Sequence, residues 1–260
     1  MTGRDSARRL AELLVQSERT VALTGAGISV PSGIPDFRSP GSGLWERVDP
    51  MEVAHIDVFR RDPERFWAFY GQRFHTLEHK RPNRAHELLA ELEHTGLLQA
   101  VITQNIDGLH RRAGSRELVE VHGTIAHSSC ARCGNSYPLA EVRARQLADG
   151  RGVPRCGCGE PLKPDVVLFG EYLPAGVFER AEKLAEQADL MLCIGSSLEV
   201  YPVAELPLRT LARGGQVAII TRGPTPLDGR AASRLDGDVV NELEALALEL
   251  DLSAAQPTAD

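Results

Sequence analysis

Apolar positions along the chain follow two rhythms, and the changes between them mark out the elements. Residues 6–16 place Leu10, Leu13 and Leu14 at helical spacing and lead into the apolar run 20–23, which reads as a helix followed by a buried strand. Residues 41–80 carry little strand signal, but 63–77 set Phe66, Trp67, Phe69, Tyr70 and Phe74 at helical spacings, so a small helical module is expected there. Residues 85–93 turn Leu88, Leu89 and Leu92 to one side, ahead of a strand at 98–103 and a short one at 119–122. The later chain alternates regularly: strand 166–169, helix 177–187, strand 190–194, helix 202–213, strand 216–220 and helix 238–250. Such alternation predicts an α/β fold, a parallel sheet with helices on both faces. Residues 126–161 interrupt it, and 253–260 read as a frayed, disordered tail.

The interruption holds four of the five cysteines, in the close pairs Cys130/Cys133 and Cys156/Cys158. Two thiolates on a tight turn each reach one face of a tetrahedral ion, so a structural zinc is expected rather than disulfides. Four thiolates fill the tetrahedron and leave no place for a reactive water. Cys193, inside an apolar run, reads as a buried core thiol.

The chain has 260 residues and a net charge of −7, enough for a sizeable core and without the broad basic field that nucleic acid attracts. No apolar run approaches a membrane span, and residues 1–9 are polar with no signal-peptide core. The expectation is a cytoplasmic protein with neither membrane nor direct nucleic-acid partners.

Chemistry concentrates where predicted strands end, the place where open α/β sheets hold ligands. Gly25-Ala26-Gly27-Ile28-Ser29 follows the first strand as a glycine turn suited to backbone contact with a phosphate. Val30 occupies the third glycine position of a dinucleotide fingerprint, and Pro31 and Pro35 interrupt the helix that should follow. Ile34-Pro35-Asp36-Phe37-Arg38 instead places an aromatic, a carboxylate and a guanidinium on a loop. Gln104, Asn105, Ile106 and Asp107 end another strand; the amide and carboxylate either bind a carboxamide or ribose or close an Asx turn. His122 follows a short strand, as a general base or a satisfied structural imidazole. Gly195-Ser196-Ser197 admits a nucleotide or caps a helix.

Taken in order, these motifs, together with Lys163-Pro164-Asp165-Val166-Val167-Leu168-Phe169-Gly170-Glu171, resemble the sirtuin family over residues 21–239. The resemblance implies an NAD-consuming protein lysine deacylase in which NAD is a co-substrate and one zinc ion is structural. It implies a Rossmann-like domain at 1–40, 83–125 and 162–252, with a small domain of a helical module at 41–82 and a zinc ribbon at 126–161. The acyl oxygen of a modified lysine attacks the ribose carbon bearing nicotinamide, giving an alkylimidate; the products are free lysine, nicotinamide and O-acyl-ADP-ribose.

Carried over by position, His122 is the general base and Asn105 its catalytic companion. Gly25, Ala26, Gly27, Ile34, Asp36, Phe37 and Arg38 form the NAD loop. Gln104, Asn105, Ile106 and Asp107 hold the nicotinamide and ribose end, Gly195, Ser196 and Ser197 the adenosine side, and Val239 the adenine. Thr221 stands where the family commonly has a ribose-contacting asparagine. Val167, Phe169, Gly170, Glu171 and Val200 flank the acylated peptide, taken up as an added strand. Tyr70 and Arg73, sharing a helix face, match the pair that holds the acyl carboxylate in sirtuins removing succinyl or malonyl groups. Val30-Pro31 and Asp36 match the deacetylase branches, so deacetylation is favoured. Lysine desuccinylation or demalonylation and mono-ADP-ribosyl transfer are the alternatives.

Overall fold

The computed structural model describes residues 3–36, 43 and 48–252, so the expected tail at 253–260 lies outside the described residues. Among the described residues, nine strands form two sheets. Six of them, β1 (Thr20–Thr24), β2 (Ala100–Thr103), β3 (Leu118–Glu120), β7 (Leu190–Ile194), β8 (Gln216–Ile220) and β9 (Ser233–Leu235), make a sheet in the order β3-β2-β1-β7-β8-β9. All its pairings are parallel.

Side chains of the central strands alternate between two cores, as the pleat requires. Ala22, Val101, Leu192, Ile194 and Ala218 pack with helices α1 (Gly3–Gln16), α5 (Arg84–His94) and α10 (Val239–Glu249). Val21, Leu23, Ile102, Met191, Cys193 and Val217 face α8 (Ala175–Gln187) and α9 (Leu206–Ala212). The Cys193 thiol is fully buried there, and burial pushes its pKa up.

The second sheet is antiparallel, in the order β5-β4-β6, from β4 (Gly123–Ser129), β5 (Ser136–Pro138) and β6 (Lys163–Val166). It shares a third core with α2 (Pro50–Val53), α3 (Ile56–Arg61) and α4 (Pro63–Glu78), built around Phe66, Trp67 and Phe74. Trp67 Nε1 donates to the Leu162 carbonyl at 3.0 Å and fastens α4 to the chain entering β6.

Several elements depart from the sequence reading. The strand expected at 166–169 as a return to the parallel sheet is β6, shifted upstream and paired antiparallel with β4, because the short cysteine segment brings the chain straight back beside β4. This sheet begins at Gly123 and ends at Val166, wider than the expected 126–161 segment. Residues 167–169 run on as an extended strap: Val167 N donates to the His122 carbonyl and Phe169 N to the Ala54 carbonyl. The helix expected at 202–213 is a single tight turn, Val203–Glu205, followed by α9, where Pro207 starts a fresh helix. The short helices α6 (Leu109–Ala113) and α7 (Leu139–Ala148) and the polar edge strand β9 carry too little periodicity to read.

Candidate functional site

Strand order reverses between β1 and β7, and at that point a cavity of about 1080 Å³ opens over the C-terminal ends of the parallel strands. Each residue expected in the nucleotide and acyl sites that lies among the described ones lines it. The chain after β1 contributes Gly25, Ala26, Gly27, Ile34 and Asp36; Phe37 and Arg38 lie outside the described residues. Gln104, Asn105, Ile106 and Asp107 come from the end of β2, His122 from beyond β3, Gly195, Ser196 and Ser197 from β7, and Thr221 from β8. Val239 enters from the start of α10, Tyr70 and Arg73 from α4, Val167, Phe169, Gly170 and Glu171 from the chain after β6, and Val200 from the chain after β7.

The glycine turn serves a purpose other than the one its pattern suggests. Gly25 N donates to the Ile194 carbonyl at 3.0 Å and Gly27 N to the Gly195 carbonyl at 2.8 Å. Both amides are therefore spent on fixing the turn to the end of β7. A Cβ on Gly27 would lie 2.7 Å from the Gly195 Cα, so glycine is needed for two loops to close on each other.

Beneath the cavity floor runs a buried polar network. Ser29 Oγ donates to Asp107 at 2.7 Å and accepts from Asn105 Nδ2 at 3.1 Å. His86 Nδ1 accepts from Asn83 N, which leaves Nε2–H to donate to Ser29 at 3.4 Å. Asn105 Nδ2 also donates to the Gly25 carbonyl at 3.1 Å, tying the β2 end to the β1 end. A second chain runs from His110 Nε2 to Thr24 Oγ1, and from Thr24 to Thr103 Oγ1, which accepts the Asn105 backbone amide. Burial lowers the pKa of His86 to about 4 and of His110 to about 3, so both imidazoles are neutral. Burial also raises the pKa of Asp107, against hydrogen bonds from Leu109 N and Ser29.

Ser29, His86, His110 and Thr24 escaped the sequence reading as site residues. The available signal was a histidine on the apolar side of α5, beside Ala85, Leu88 and Leu89, which is costly unless satisfied.

His122 stands at the cavity wall with Nδ1 2.9 Å from the Gln104 carbonyl oxygen. A carbonyl only accepts, so Nδ1 carries the hydrogen and Nε2 is the basic nitrogen. Burial lowers the pKa of this imidazole, and the bond to Gln104 raises it in part. Gln104 is held in turn, its Nε2 donating to Ser196 Oγ at 3.0 Å.

On the α4 wall of the cavity, Tyr70 stacks between Phe66 and Phe74, with centroids 4.6 and 5.2 Å away, and burial pushes its pKa to about 12. Burial lowers the pKa of Arg73, whose guanidinium lies 5.6 Å from the Phe69 ring centre. Among the described residues no carboxylate lies within ion-pair distance of Arg73. Glu171 pairs with Lys163 at 2.9 Å and accepts from Leu168 N at 2.9 Å, closing the loop after β6.

The four paired cysteines converge, with all four sulfurs within 4.8 Å of one another. Cys130 and Cys158 sulfurs lie 3.5 Å apart and those of Cys133 and Cys156 3.4 Å. A zinc–thiolate tetrahedron has edges of about 3.8 Å, close to both of these separations, so the four cysteines fit that ion. Each turn is closed by a glycine in the left-handed region: Gly134 N bonds the Cys130 carbonyl and Gly159 N the Cys156 carbonyl. The cysteines do not line the cavity; Cys130 and Cys156 belong to the core of Phe66 and Trp67.

The Sir2 family model matches residues 25–202. The chain is 49% identical over 224 residues to a NAD-dependent protein deacetylase of Sulfolobus acidocaldarius, spanning 86% of this chain and 87% of that one. It is 44% identical over 234 residues to a NAD-dependent protein deacetylase of Thermotoga maritima, spanning 90% and 94%. Among solved structures, Sir2 with a p53 peptide and NAD+ aligns with a TM-score of 0.86 at 43% identity, over 94% of this chain and 98% of that one. A Sir2 variant with a deacetylated p53 peptide and 3'-O-acetyl ADP ribose aligns with a TM-score of 0.88 at 43% identity, over 92% and 96%. With relatives near half identical along almost their whole length, and the same fold beneath the shared motifs, this chain belongs to the Sir2 family, the sirtuins.

Proposed function

We propose that this protein removes acetyl groups from lysine side chains of proteins, consuming NAD and releasing nicotinamide, free lysine and O-acetyl-ADP-ribose. The observation that carries the reading is the 2.9 Å contact between His122 Nδ1 and the Gln104 carbonyl oxygen, which sets the tautomer. Its Nδ1–H is committed to the Gln104 carbonyl, leaving Nε2 on a wall shared by the strand-end loops and the acyl pocket.

The co-substrate supplies a ribose carbon from which the acyl oxygen of the lysine displaces nicotinamide. This chain orients the parts and moves one proton. Asn105 and Asp107, fixed through Ser29, shape the nicotinamide and ribose end; His122 Nε2 accepts a proton from a ribose hydroxyl. Gly195, Ser196, Ser197, Thr221 and Val239 receive the adenosine side. Gly25 and Gly27 hold the NAD loop against β7, and Ala26, Ile34, Asp36, Phe37 and Arg38 complete it. Thr221 offers a hydroxyl where an asparagine is usual. The acylated peptide lies between the loops of Val167, Phe169, Gly170 and Glu171 and of Val200 as an added strand. Cys130, Cys133, Cys156 and Cys158 hold one zinc ion, which supplies structure and no reactive water.

A second reading rests on Tyr70 and Arg73. A buried guanidinium lining an acyl pocket, with no carboxylate partner among the described residues, suits a succinyl or malonyl carboxylate. Matched acetyl-lysine and succinyl-lysine peptides, incubated with NAD and followed by mass spectrometry, separate the two, with His122→Ala as control. NAD-dependent deacetylation with O-acetyl-ADP-ribose as product is expected. Faster loss of succinyl overturns the acetyl preference; NAD cleavage with both peptides intact overturns deacylation and favours ADP-ribosyl transfer.

No helix among the described residues is long and apolar enough to cross a membrane. The reduced thiol cluster and the acidic net charge support a cytoplasmic protein that binds neither membrane nor nucleic acid.

A further inference from the structure

The last turn of α4 carries His75 and Glu78, and His79 caps it with helical backbone angles, so the spacing projects all three side chains from one face. One ring nitrogen of each histidine and a carboxylate oxygen of Glu78 lie within 4.8 Å of one another. The two imidazoles meet edge to face, with centroids 4.7 Å apart. Glu78 is oriented from outside the helix: Arg143 of α7 bonds its Oε2 at 2.5 Å, leaving the carboxylate its second oxygen to offer. The cluster sits at the C-terminal end of a sixteen-residue helix, where the macrodipole favours a cation.

We infer that His75, Glu78 and His79 form a second metal site, separate from the four-cysteine cluster, that takes zinc or a divalent ion of similar softness. Two imidazoles and one carboxylate are the donor set of three-ligand zinc sites, whereas magnesium and calcium require shells built from oxygen. Three protein ligands leave a fourth position for water. An ion held there clamps the end of the helix that carries Tyr70 and Arg73 into the cavity. The same turn is tied to the cavity floor through Arg112, whose Nη1 donates to the Glu78 and Lys80 carbonyls at 3.2 and 2.6 Å and whose Nη2 donates to the Asp107 carbonyl at 3.3 Å.

The test is calorimetric titration of the full chain, first loaded with one equivalent of zinc and freed of excess, with zinc chloride and separately with nickel chloride. Wild type is expected to take up one further equivalent of each ion. His75→Ala with His79→Ala should weaken that uptake at least tenfold while leaving the first zinc in place; both side chains are exposed, so the variant keeps its fold. Glu78→Gln should weaken it less. Failure of wild type to take a second equivalent, or an unchanged second equivalent in the double variant, overturns the site. Copper(II) bound to the loaded protein gives a second readout: nitrogen hyperfine structure from two imidazoles is expected, and its persistence in the double variant likewise overturns the assignment.

Discussion

His122 and Gln104 are joined through the main chain, with the imidazole Nδ1–H donating to the Gln104 carbonyl oxygen at 2.9 Å. The bond depends on no particular side chain at residue 104, so substitutions there leave the tautomer of His122 intact. His122→Ala should lower deacylation by about 10²- to 10⁴-fold, the usual contribution of a positioned base, read as kcat on an acetyl-lysine peptide. Comparable loss in a Gln104→Ala variant would show that positioning by the Gln104 side chain matters as much as the base.

The pH profile follows from the burial of His122. A base acts in its neutral form, and burial lowers its pKa. The acidic limb of kcat/KM for NAD should therefore fall below about 6.5, the value of an unperturbed imidazole. A limb at or above that value contradicts the buried, neutral base.

His86 and His110 make the protein sensitive to acid. Their folded pKa values, about 4 and about 3, lie below the unfolded value, so their contribution is complete above the unfolded pKa and is lost as pH falls. Below about pH 6.5 each costs up to about 1.4 kcal/mol of stability per pH unit. The melting temperature should drop steeply between pH 6.5 and 4.5, and His110→Gln should make that slope shallower. An unchanged slope in the variant excludes His110 as a source.

Gly123 follows His122 at φ +77°, and a Cβ there would stand 2.0 Å from the Asp165 carbonyl oxygen. Gly123→Ala forces β4 away from β6 and should cost at least about 1–2 kcal/mol from the backbone alone, with turnover falling further because His122 is displaced. Gly157→Ala, where the nearest atom is the Tyr137 hydroxyl at 4.0 Å, is the tolerant control. Thermal unfolding and peptide turnover of the two variants separate the predictions.

Removal of zinc should melt the three-stranded sheet before the six-stranded one. With the ion gone, four thiolates within 4.8 Å repel and protonate, and the backbone bonds of Gly134 and Gly159 close each turn on itself without joining the two. Limited proteolysis after chelation should cut first between residues 130 and 160. Uniform cleavage along the chain would show that the two sheets melt together.

The strand-helix alternation of the later chain was legible because β7 and β8 are apolar on both faces and α8, α9 and α10 each turn apolar residues toward a core. The site loops were legible as short polar or glycine motifs at strand ends. The antiparallel pairing of β6 was not, since Lys163-Pro164-Asp165-Val166 carries no strong period and its partner is chosen by the cysteine turns. Nor was the floor of the site: Ser29, His86 and Asp107 lie far apart in the chain, and only the packing of α5 against the Gly25 turn brings them into one hydrogen-bonded set. The role of Gly25 and Gly27 also required coordinates, because a glycine pattern reports close approach without saying what approaches.

Between the end of β3 at Glu120 and the start of β4 at Gly123 the chain has only Val121 and His122. The proposed base is thus the splice where the polypeptide leaves one sheet for the other, and it holds its place only while both ends are anchored. One of those ends runs through β4 into the first cysteine turn, so stripping the distant thiolates of zinc is expected to lower turnover of an acetyl-lysine peptide before the six-stranded sheet unfolds.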